Sequence, residues 1–210
     1  MRGIKTLSLA AMMLALMTVF RGSAVFSQRA SARPLAIDEN SLENGDLIFR
    51  RGVGLVSDFV VSVDTSSMFS HVGIISKTGT HFSVIHILPD EEHGSDDFVR
   101  MEPLESFLSA DNASGYTICR LTGSRRKIST RAVDNALALW MGRVRYDYDL
   151  DSLNPRRLYC SELVWLAYKK AGIDLTDGVL DRVNIPFYQG RYIMISRLLN
   201  SRWLETIQHQ

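Results

Sequence analysis

Cys160 opens a run in which Leu163, Val164, Ala167 and Tyr168 recur at helical spacing before Gly172, so the sequence predicts an amphipathic helix over 160–171 with the glycine as its stop. A thiol at a helix N-terminus lies among unpaired backbone N–H groups and the positive end of the helix dipole. That setting favours the thiolate and supplies donors for an oxyanion. A nucleophilic thiol also needs a base, and a base needs a group that orients it. His71 and His86 supply both parts in one hairpin.

The hairpin is the clearest local signal in the chain. Ser70 to Ile75 is rich in β-branched residues, Thr78-Gly79 reads as a two-residue turn, and His81 to Leu88 alternates, with Phe82, Val84, His86 and Leu88 on one face. In that register His71 faces His86, and cross-strand neighbours lie about 4.5–5.5 Å apart at Cβ, within reach of a ring-to-ring hydrogen bond. A four-residue loop closed by Ser76 and His81 gives the same pairing, whereas a bulge breaks it. Against this stands the ordinary alternative, in which each histidine and Cys160 are buried structural residues.

The elements that position these groups form one domain. A chain of 210 residues, 46% hydrophobic and 22% charged, builds one good core. Asn44-Gly45-Asp46 marks a turn before a short buried strand, Leu47 to Phe49. Ser57 or Asp58 is placed to cap a short helix through Val63, Phe98 to Met101 reads as a strand, and Pro103 opens a short helix over 104–108. Tyr116 to Leu121 reads as a strand, and Ser129 as the cap of a helix that Gly142 stops. With 24 basic against 23 acidic residues, charge gives no case for nucleic acid or an anionic membrane surface as a partner.

Arg2 and Lys5 precede an apolar run from Leu7 to Phe20 and then small residues, the pattern of an export signal too short to span a bilayer comfortably. Cleavage is expected after Ser27, with Ala24 as a rival and a retained anchor as the alternative; no transmembrane span is then left in the mature form. The expected organisation is a signal over 1–27, a disordered linker over 28–40 and one domain over 41–210. In an exported protein two cysteines ordinarily pair, but nothing in the sequence brings Cys119, in mid-strand, to Cys160. Cys119 is read as a buried free thiol. Asp147, Asp149 and Asp151 invite a calcium reading, but the glycine and the glutamate of an EF-hand loop are missing. No metal and no cofactor is expected.

Four segments, Gly45-Asp46-Leu47-Ile48-Phe49, Ser70-His71-Val72-Gly73-Ile74, Tyr146-Asp147-Tyr148-Asp149 and Tyr159-Cys160-Ser161-Glu162-Leu163-Val164, resemble in content and order the YiiX/YaeF-like permuted branch of NlpC-type papain-fold hydrolases. The resemblance covers about Gly45 to Ala171. It implies an α+β, circularly permuted papain-like fold, an antiparallel sheet packed against helices, with the histidine strands ahead of the cysteine helix. It further implies a cysteine amidase in which Cys160 is the nucleophile, as a thiolate paired with the His71 imidazolium. The third position is commonly glutamate in this branch and falls on His86 here, which leaves the His71 imidazolium without an anionic partner. Tyr159 is a candidate for the oxyanion site or the pocket wall, and Asp46 for a polar substrate group. The implied substrate is a small envelope peptide or an acyl compound. A lipid acyltransferase or thioesterase using the same thiol, and a non-catalytic binding module, are the alternatives.

Overall fold

In the computed structural model, residues 35–89, 97–123, 125–150, 156–185 and 188–210 are described; the expected signal segment lies outside them. A single 3-10 turn, Glu39–Ser41, precedes β1, Leu47–Gly52. There follow α1 Leu55–Val63, β2 His71–Thr78, β3 His81–His86, β4 Arg100–Pro103, α2 Leu104–Phe107 and β5 Ala113–Leu121. Next come α3 Arg126–Met141, β6 Arg145–Tyr146, β7 Arg157–Leu158 and α4 Cys160–Ala171. The chain closes with β8 Asp181–Ile185, β9 Tyr188–Tyr192, α5 Ile195–Leu199 and β10 Leu204–His209.

Six strands form one antiparallel sheet in the order β10-β5-β1-β2-β3-β4. Because successive side chains point to opposite faces, Leu47, Phe49, Val72, Ile74, Ile85 and Cys119 bury one face against α3 and α4. Ile48, Ile75, Val84 and Ile118 bury the other against Leu42, Leu104 and Phe107. Both faces are covered, which is why Leu47 to Phe49 is an unbroken apolar run rather than an alternating one.

Residues 35–40, expected as part of a disordered linker, belong to the fold. Leu35 and Ile37 pack on the second cluster, Ala36 N–H donates to Gln210, and the Tyr116 hydroxyl donates to Ala36 O at 2.5 Å. Ser129 does not cap α3. The helix begins a turn earlier, at Arg126 with Arg125 as its N-cap, and Ser129 is buried inside it. There it faces Gly45, where an added Cβ would sit 2.7 Å from the Ser129 Cβ. The loop at Asn44-Gly45 thus packs on α3 through a glycine that also holds φ +89°.

The hairpin differs from expectation by two residues. Ile74 faces Ile85, Ile75 faces Val84 and Thr78 faces His81, so the turn residues are Gly79 and Thr80, with Gly79 at φ +62°. A glycine as the first of the two central residues gives the positive φ that a tight hairpin needs there. One step beyond Ile74–Ile85, Gly73 rather than His71 stands opposite His86. A slip of two residues preserves the face of every side chain, so His71 and His86 remain on one side of the sheet as diagonal neighbours.

Candidate active site

Gly73, opposite His86, leaves open the space beside Val84 and the His86 Cβ. A Cβ there would lie 2.4 Å from Val84 Cγ1 and 3.1 Å from His86 Cβ. With that space open, His71 Nε2 and His86 Nδ1 lie 2.9 Å apart, and the rings meet edge to face with centroids 5.0 Å apart. Phe107, from α2, roofs the pair at 5.6 Å from the His71 ring and 5.1 Å from that of His86. Both histidines are buried, at 4% and 0% exposure.

Beyond His86 stands a group that sequence reasoning did not include. β4 pairs with β3 so that His86 faces Arg100 and Val84 faces Glu102, and the Glu102 carboxylate lies 2.8 Å from His86 Nε2. Its approach is oblique to a ring N–H, and no other acceptor reaches that nitrogen. The expectation of a histidine pair without an anion therefore needs correction: a carboxylate is present, one strand further out. Burial pushes Glu102 upward, but the His86 contact and the charges of Arg50 and Arg100 outweigh it and hold the carboxyl below its usual range.

Arg50 is the second group not anticipated. It faces His71 across β1 and β2, is 5% exposed, lies 4.2 Å over the Phe107 ring and donates to Phe107 O at 2.7 Å. Burial lowers its pKa to about 10, against the pull of Glu102 and Cys160. The one available signal was positional, a charged residue directly following a fully apolar strand segment. Burial first, then Arg50, His86 and Arg100, lowers the pKa of His71 well below the ordinary histidine value. Burial likewise lowers that of His86, with Glu102 opposing it.

Cys160 is the first residue of α4, as its sequence predicts, with Tyr159 at the N-cap and Gly172 in the left-handed conformation at the C-cap. The backbone N–H groups of Val72, Ser161 and Cys160 itself favour the thiolate form of this sulfur. Val72 directly follows His71 in β2, so α4 delivers the thiol to the start of the histidine strand. The expected drop in thiol pKa is not found. Burial outweighs the three N–H groups and Arg50 and pushes the Cys160 thiol up to about 11, because desolvation opposes the charged form more than the helix terminus favours it. Tyr146 is close enough for its phenol to be raised by Cys160, after the larger effect of burial.

The remaining expected residues lie elsewhere or are otherwise engaged. The Tyr159 hydroxyl accepts Ile193 N–H at 2.9 Å and its ring packs edge-on against Tyr192, which anchors the start of α4. Asp46 is 1% exposed at the end of β1 away from Arg50. It accepts from Arg120 Nε and from Arg120 NH2, each at 2.7 Å, and from Glu43 N–H, so both oxygens are engaged within the fold. Asp151 lies outside the described residues. Both cysteines are free, and Cys119 faces Leu47, toward the other end of β1 from Arg50.

A half-buried thiol at a helix start, delivered to an antiparallel sheet whose earlier strands carry the two histidines, defines a permuted papain-like cysteine hydrolase. The family model described as permuted papain-like amidase enzyme, YaeF/YiiX, C92 family, matches residues 41–185, and the chain belongs to that family of cysteine amidases. The crystal structure of the metalloprotein yiiX from Escherichia coli O157:H7 is similar in fold, with a TM-score of 0.65 at 18% identity over 80% of this chain and 97% of that one. No curated protein matches the chain. Among the described residues, no three of His, Cys, Asp and Glu gather as a set that could hold a metal ion, and no helix is long and apolar enough to cross a membrane.

Proposed function

We propose that this chain is an exported, envelope-located amidase that hydrolyses amide bonds in small peptides, with peptidoglycan-derived peptides as the leading substrates. Cys160 serves as nucleophile, His71 as base and His86 as the group that orients His71. The observation that carries the reading is Cys160 at the first position of α4, with His71 hydrogen-bonded to His86 on the adjoining sheet. The export component rests on the basic start and the apolar run from Leu7 to Phe20.

The resting pair is neutral, a thiol and an imidazole, because burial disfavours both charged forms. His71 takes the thiol proton as Cys160 attacks the carbonyl, the N–H groups at the start of α4 receive the oxyanion, and His71 returns the proton to the leaving amine. Water then attacks the acyl-enzyme with His71 again as base, releasing the acid and restoring the thiol.

The test is digestion of peptidoglycan-derived peptides by the mature protein, its Cys160→Ala and its His71→Ala variants, reading new amines by mass spectrometry. Cleavage by the first alone is expected. Cleavage by none, or equally by all three, overturns the reading. A second reading, hydrolysis or transfer of an acyl lipid, draws on α1. None of the helix's residues is buried although Leu55, Val56, Phe59, Val60, Val61 and Val63 are apolar, and Met68, 65% exposed, lies close before His71. It predicts that turnover of p-nitrophenyl esters climbs with acyl length, and that Phe59→Asp removes the gain.

A further inference from the structure

We propose that Glu102 is a positioning residue that sets the tautomers of both histidines, and through them leaves His71 Nδ1 as the ring nitrogen with a lone pair to accept a proton. The inference rests on the reading of Cys160 and His71 as nucleophile and base, and concerns what makes that base usable.

The argument runs inward from the carboxylate. An ionised carboxylate has no proton to give and only accepts, and Glu102 lies 2.8 Å from His86 Nε2. The contact lies off the line of a ring N–H, and it is the negative charge of the carboxylate at that distance that favours the His86 proton on Nε2. A neutral imidazole carries one N–H, so His86 Nδ1 holds a lone pair. That nitrogen is 2.9 Å from His71 Nε2, and a hydrogen bond there requires His71 to donate. The His71 proton thus sits on Nε2, and Nδ1 is left with the lone pair. No described residue hydrogen-bonds His71 Nδ1, which is the only ring nitrogen left to take the proton of Cys160.

Each element packed on the relay contributes to its state. β1 brings Arg50, facing His71; β4 brings Arg100, facing His86, as well as Glu102; α2 brings the apolar ring of Phe107. With two cations around two buried rings, both histidines stay neutral, and a neutral histidine has a tautomer to set. Glu102 is the acceptor that sets it.

The experiment compares wild type with Glu102→Gln and Glu102→Asp, using nitrogen-15-labelled histidine and the release of p-nitrophenolate from p-nitrophenyl acetate, with Cys160→Ala as the blank. In wild type, His71 and His86 are expected as Nε2–H tautomers with no Nδ1–H. Glutamine keeps the size of the side chain but presents an amide that donates as readily as it accepts. It is expected to give mixed tautomers and to slow Cys160 acylation at least about tenfold, a part of the range that general-base assistance spans. Glu102→Asp is expected to recover most of the wild-type tautomer. The proposal is overturned if Glu102→Gln retains the wild-type nitrogen resonances, whatever its acylation rate, or if acylation stays within twofold of wild type. Should wild type give no burst above the blank, the amidase reading fails, and the nitrogen resonances still decide the tautomers on their own.

Discussion

Acid strains the paired histidines and the fold together, because His71 and His86 are held neutral at 4% and 0% exposure. In both, burial lowers the folded-state pKa below the ordinary value, whereas in the unfolded chain each titrates near 6.5. The unfolded state therefore binds more protons below that pH. The stability held by the neutral rings is complete above about pH 6.5 and is lost as pH falls toward the folded-state values. At pH 5.5 the unfolded state gains about 1.4 kcal/mol for each histidine that stays neutral in the fold. Both together give about 2.8 kcal/mol, a large share of the ~5–15 kcal/mol typical of a domain. With a urea dependence of about 2 kcal/mol per molar, the unfolding midpoint falls by roughly 0.7–1.4 M between pH 7.5 and 5.5. Fluorescence of Trp140, Trp165 and Trp203 reports the transition. His71→Gln is expected to show a smaller fall than wild type, since one titrating ring is gone, while His81 and His209 are exposed. A wild-type midpoint that stays level across this range refutes the reasoning, as does a His71→Gln protein with the full wild-type fall.

Gly73→Ala forces a Cβ to within 2.4 Å of Val84 Cγ1 and 3.1 Å of His86 Cβ. A cost of about 1–3 kcal/mol in urea unfolding is expected, together with loss of the His71–His86 hydrogen bond in histidine nitrogen spectra. Arg50→Met removes a charge that lowers His71 and also pulls Cys160 down. Its expected signature is an acid limb of activity moved to higher pH, and iodoacetamide labelling of Cys160 that needs a higher pH than in wild type.

How far the site was legible in the sequence depends on how local each signal was. α4 was read at its true bounds, because Cys160 and Gly172 bracket one apolar period and a helix carries that period within itself. His71 and His86 were matched for a reason only half correct. Their shared face follows from alternation, which survives a slip of two residues, but their direct opposition depended on the turn, and the turn is Gly79-Thr80 rather than Thr78-Gly79. They meet as diagonal neighbours, with Gly73 leaving the space beside the His86 Cβ open. Glu102 and Arg50 were missed because each reaches the site through the pairing of one more strand. Asp46 read as a substrate contact only because Arg120, on β5, was not visible as its partner.

The thiol shows the same division between local and assembled causes. A helix start is a local feature, and from it a lowered pKa follows; burial is a property of the packed sheet and helices, and it reverses the direction to about 11. The assembled cause also changes what the histidines are for. A thiolate already formed would need a general acid for the leaving amine but no base for itself. A protonated thiol needs a base with a bare nitrogen at the moment of attack, and a base kept neutral needs its one proton held on the far side of the ring. In the proposed mechanism the Glu102–His86–His71 line does that, and burial, which raises the thiol, also keeps His71 neutral.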